Sequence, residues 1–134
     1  MNIETFDQLL AAARAQPTPQ RLLMVFAGAE LSADASPAQR AAFEAGVGGE
    51  LTPLMCVDKS PAELASFAAL CEEARRIGPP WQLVFAAALS GRPGQRLDEQ
   101  AAEAPLQQLV EAVRTGRLAG LIPFDTQGNA VQLT

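Results

Sequence analysis

Histidine and tyrosine are missing from all 134 residues. Without histidine there is no Ser-His-Asp or Cys-His arrangement, and the commonest general base and zinc ligand are gone. Cysteine occurs only as Cys56 and Cys71, too few to close a structural zinc site, so no metal and no cofactor are expected. Basic residues are also scarce. Ten of them oppose 15 acids, giving a net charge of −5, and they are scattered. A nucleic-acid partner would need a basic face, so none is expected. Long apolar runs are lacking too. Residues 22–29 and 83–89 are the longest, far short of the roughly 20 that a bilayer demands. The first residues, Met1-Asn2-Ile3-Glu4-Thr5-Phe6-Asp7, carry acids where a signal peptide carries lysines, and no apolar segment follows. The sequence therefore points to a cytoplasmic chain with no membrane partner and with reduced thiols.

What remains suits one domain spanning 1–134. Forty-nine per cent of residues are hydrophobic, and this length hides about two-thirds of the unfolded surface on folding. Helix starts are legible. Thr5-Phe6-Asp7-Gln8 is a capping box, followed by Phe6, Leu9, Leu10 and Ala13 on one apolar stripe. Ser36-Pro37-Ala38-Gln39 repeats the signal with proline at the first helical position, for a short helix ending at Gly46. Ser60-Pro61-Ala62-Glu63 opens a third helix that presents Leu64, Phe67, Cys71 and Ala74 inward and stops at Gly78. A fourth begins near Pro105, with residues 98–104 an extra turn or a loop, and closes at Gly116.

Residues 22–26, 51–57 and 82–89 are near-continuous apolar runs, the pattern of strands covered on both faces. Residues 121–124 and 130–133 flank Asp125-Thr126-Gln127-Gly128-Asn129 as a hairpin, with Pro123 placing its strand at an edge or a start. The expected class is α/β, with α+β as the alternative: a mixed sheet of about five strands, three main helices and a C-terminal hairpin. The link over 31–50 is long enough for a crossover, and equally able to return as an antiparallel loop.

The most suggestive segment is Cys56-Val57-Asp58-Lys59-Ser60-Pro61, where a buried strand runs into a helix N-terminus. Ligands of open α/β sheets sit at strand carboxyl ends, and free N–H groups at a helix start attract anions. Lys59 is the single lysine. The simpler reading of Asp58 and Ser60 is turn and cap. A second segment, Ser90-Gly91-Arg92-Pro93-Gly94-Gln95-Arg96, offers glycines for close backbone approach and arginines for phosphate or carboxylate, though a flexible polar loop reads the same way and no Walker pattern is present. If the second and third strands are parallel neighbours, Asp58, Lys59, Ser60, Ser90 and Arg92 line one small anion pocket. Asp58 and Ser90 then lie within one side-chain reach.

Gly46-Val47-Gly48-Gly49 lacks dinucleotide spacing and reads as a helix stop plus loop. Cys56 reads as an inert thiol inside an apolar strand, within touching range of Cys71. Trp81 reads as a core or rim aromatic, and Glu30 with Asp34 is the thin case for a hard cation.

The segments at 23–31 (LMVFAGAEL), 53–59 (PLMCVDK) and 87–91 (AALSG) resemble a family of short proteobacterial proteins that commonly carry the label "ribonucleotide reductase subunit alpha". That resemblance spans nearly the whole chain and implies no functional residues. A looser one, carried by residues 58–64, 106–116, 120–123 and the closing hairpin, is similar to the N-terminal domain of the enhanced-serine-sensitivity protein family. It implies a small mixed-sheet domain.

The leading functional expectation is a non-enzymatic cytoplasmic module that binds a protein partner, a second copy of itself among them, or a small anionic ligand. The alternatives are a small enzyme acting on a phosphorylated or nucleotide-like substrate through Lys59, Asp58 and Arg92, and an accessory factor of nucleotide reduction. An apolar patch on the Phe6 or Val110 helix would favour the protein partner.

Overall fold

The computed structural model describes residues 3–30, 34–44, 50–94 and 97–132. Along the chain run α1 (Phe6–Arg14), β1 (Gln20–Glu30), α2 (Pro37–Glu44), β2 (Glu50–Lys59), α3 (Phe67–Ile77), β3 (Leu83–Ser90), α4 (Glu99–Arg114) and β4 (Ile122–Phe124). The class is α/β. The strands form one sheet in the order β2-β1-β3-β4, and every pairing is antiparallel. Among the described residues the sheet is thus antiparallel and four-stranded, not mixed and five-stranded. β1 and β2 pair antiparallel, so the link over 31–50, which carries α2, makes a return and not a parallel crossover. No helix among the described residues is long and apolar enough to cross a membrane.

Side-chain alternation along β1 divides the core in two. Leu22, Met24 and Phe26 turn to one face, where α1 contributes Phe6, Leu10 and Ala13 and α3 contributes Phe67, Leu70, Cys71 and Ala74. Leu23, Val25 and Ala27 turn to the other, against Ala102, Leu106, Leu109 and Val113 of α4. With both faces of this central strand covered, residues 22–27 are all buried, which is why that run is apolar without a break. Trp81 is half-buried and edge-on to Phe26 at 5.0 Å.

Two caps act as read. Thr5 forms the full capping box with Gln8. Ser36 and Gln39 exchange the same pair of bonds at the start of α2. The proposed stop at Gly46 and the Gly46–Gly49 segment fall outside the described residues.

Ser60 and Glu63 also bond reciprocally, but they close a turn and not a helix. α3 begins six residues later, capped by Ser66. The cause is tertiary. The Arg14 guanidinium donates to the carbonyls of Leu64 and Ala65, and the Asp7 carboxylate accepts from Phe67 N–H at 2.9 Å. In an unbroken helix those two carbonyls would accept from residues 68 and 69. α4 starts earlier than expected, at the Asp98 cap, and carries Pro105 inside it. The second arm of the hairpin is reduced to one bridge, Phe124 to Ala130, with Val131 N–H donating to Pro123 O at 3.0 Å.

Candidate functional site

β2 and β3 both run antiparallel to β1, so they are parallel to each other and end beside the first residues of β1. This brings the candidate residues to one end of the sheet. It does not make them neighbours, because β1 lies between. Asp58 is level with Leu23, and Ser90 with Gln20. That separates them by about 10 Å across the sheet and about 10 Å along it, beyond one side-chain reach. The single pocket expected from Asp58, Lys59, Ser60, Ser90 and Arg92 is therefore corrected to two places.

β2 continues through Lys59, so Asp58 and Lys59 obey strand alternation and leave the sheet on opposite faces. Asp58, opposite Leu23, turns to the α4 side and accepts a 2.6 Å bond from Arg21 Nε. Lys59, opposite Leu22, turns to the α3 side, and its ammonium meets Glu73 Oε1 at 3.0 Å. Ser60 binds Glu63 in the turn. With α3 capped at Ser66, no helix N-terminus stands behind Ser60. The bonds from the Ser60 backbone and hydroxyl, followed by the Arg21 and Lys59 charges, hold the Glu63 carboxyl below the usual carboxylate range.

Arg21 organises this end and is the residue that sequence reasoning missed. It is 5% exposed, the single buried charged or polar residue among those described. Besides Asp58 it donates to the Leu97 carbonyl at 3.2 Å and lies 3.5 Å from Glu63 Oε1. One guanidinium thus joins β1, β2, the turn after β2 and the chain entering α4. Its signal was available: Arg21 has the parity of Leu23, Val25 and Ala27, so a charge on that stripe had to be buried and paired.

The segment leaving β3 is held where it begins. Gly91 N–H donates to Pro19 O at 2.9 Å, and the Ser90 hydroxyl and Gln20 amide bond each other at 2.9–3.2 Å. Beyond the loop, Leu97 O is fixed by Arg21. Between these anchors Ser90, Gly91, Arg92, Pro93 and Gly94 line a shallow surface concavity. Gly94 has φ +78°, the left-handed region that glycine enters without strain. Gln95 and Arg96 fall outside the described residues.

Both thiols are free, but Cys56 is exposed and not buried. It lies on the α4 side of an edge strand, opposite Val25, whereas Cys71 belongs to the core on the other face. The sheet stands between them, so they do not touch. Desolvation, and for Cys56 the Asp58 charge, push both thiols up. A disulfide-exchange reagent is therefore expected to titrate one thiol slowly in the native chain at neutral pH and two after unfolding. Cys56→Ser should remove the native signal. Two equivalents in the native state would contradict this placement.

Other candidates receive less support. The Glu30 side chain is outside the described set, so a cation between Glu30 and Asp34 finds no geometry. Phe6 is fully buried and Val110 packs against the α4-side core, and among the described residues neither helix carries an exposed large hydrophobic side chain. No family model, no curated protein and no solved structure matches this chain.

Proposed function

We propose that this protein is a non-enzymatic module that binds a small anionic ligand in the concavity of residues 90–94, with Arg92 as its charged contact. The observation that carries this reading is the anchored loop. Its backbone is fixed at Gly91 and, past it, at Leu97, and it presents an exposed arginine over a hollow. A backbone already held at Gly91 loses less entropy when the ligand arrives. A planar guanidinium suits phosphate or carboxylate.

The same geometry speaks against the enzyme reading. Asp58 and Lys59 diverge to opposite faces, and each already sits in an ion pair. Neither is positioned as an acid–base partner of the other or of Arg92. Asp58, Lys59 and Ser60 are better understood as the scaffold of this sheet end than as ligand contacts.

Thermal unfolding against phosphate, nucleotides and sugar phosphates tests the proposal. A ligand at 100 times its Kd should add about 2.7 kcal/mol, and Arg92→Ala should abolish the gain. Nucleotides alone giving the shift would favour the accessory role in nucleotide reduction. No shift across the panel, or a shift that survives Arg92→Ala, would remove the loop as a site.

A further inference from the structure

The two edges of the sheet are built differently. β4 has three residues, contains Pro123, and is overlaid by Ala130 and Val131. β2 has ten residues and, among the described residues, one neighbouring strand. Long open edges invite further strands, and proteins shield them with prolines, bulges or charge.

On β2 the shielding covers one half. Ala27 O accepts from Gln82 N–H, and Pro19 O from Gly91 N–H, so the odd residues of β1 turn their backbone groups toward β3. The even residues Leu22, Met24 and Phe26 then bond Lys59, Val57 and Met55. Pro53, opposite Ala27, faces outward with no N–H to offer, and the register shift between Phe26 and Ala27 leaves Leu54 as an extra residue beside it. Past this guarded half, Cys56 and Asp58, opposite Val25 and Leu23, turn N–H and C=O groups outward along a regular stretch 55–59.

That stretch is complementary to itself. Laid antiparallel on its own copy about Val57, Cys56 faces Asp58 of the second copy and Met55 faces Lys59. The outward groups of Cys56 and Asp58 are all used, and no like charges are opposed. Beside it stands Ile77, 70% exposed and the single exposed large hydrophobic residue among those described. Glu73 and Ile77 are one turn apart on α3. Glu73 reaches Lys59, and Gly78 lies so close to Met55 that a Cβ there would be 2.7 Å from Sδ. Ile77 therefore flanks the open stretch.

We infer that residues 55–59 of β2 form a two-fold interface with a second copy of this chain, joining two four-stranded sheets edge to edge, with Ile77 covered in the process. The interface is independent of the 90–94 loop. It is small, so a reversible dimer results and not an obligate one. Sedimentation equilibrium over a concentration series, under reducing conditions, should show a monomer–dimer equilibrium. Ile77→Lys changes an exposed side chain and should leave the monomer folded. Cys56→Pro removes an outward N–H without touching the ladder to β1. Each should raise the dimer Kd about tenfold or more, while Cys56→Ser dimerises as the parent does. Monomer mass at every concentration overturns the inference, as does a dimer that persists unchanged in Ile77→Lys/Cys56→Pro with native circular dichroism.

Discussion

Arg21→Met is expected to destabilise the fold by about 3 kcal/mol, the low end of the range for breaking a buried ion pair. The substitution keeps much of the apolar volume but strips Asp58 of its 2.6 Å partner and leaves the Leu97 carbonyl without a donor. The low end applies because Asp58 retains 18% side-chain exposure and can recover some water. Arg21→Met with Asp58→Leu should regain most of the loss, since matched apolar groups can replace a buried pair at little net cost. Urea unfolding of the parent, both single variants and the double variant decides it. A parent-like midpoint for Arg21→Met would mean that the guanidinium does not organise this end of the sheet. A double variant no better than the single would mean that packing, and not charge, is its contribution.

The second large effect lies at the opposite end of the chain. Gly128 has φ +83°, and a Cβ there would come within 2.8 Å of the buried Phe67 ring. Its carbonyl also accepts the Phe6 N–H at 2.8 Å, so the turn cannot drift away to relieve the clash. Left-handed strain and overpacking together set the expected cost of Gly128→Ala at about 3 kcal/mol. Gly116 is the control, with φ +75° and nothing near a Cβ. Gly116→Ala should cost about 1–2 kcal/mol from conformation alone. The difference between the two measures the contact with Phe67. Equal losses would show that the turn yields.

These two residues mark how far the sequence could be read. Interactions within four residues were legible: the Thr5 and Ser36 boxes, the glycine turn at 125–129, and the apolar runs of β1, β2 and β3. The Ser60 box was legible as well, and formed. What it could not disclose was that Arg14 and Asp7, 50–60 residues before the groups they bind, take the polar groups through which a helix would have continued. The candidate site failed for a related reason. Asp58, Lys59 and Ser60 look like one cluster in a turn, but two of them belong to a strand, where adjacent residues diverge. Which strands neighbour which depends on contacts 56–70 residues apart, and nothing local in the link over 31–50 chooses between return and crossover. Arg21 alone carried a readable hint, because a charge on an apolar stripe demands a partner.

Putting the earliest strand in the middle of the sheet has a consequence for synthesis. β1 leaves the ribosome first, yet its β3 side waits for residues 83–90. At 5–20 residues per second that delay is about 3–12 s, during which the apolar run 22–27 has an unpaired side. The nascent chain is then a substrate for holding chaperones, and the danger of mispairing between polysome neighbours is greatest before the third strand arrives.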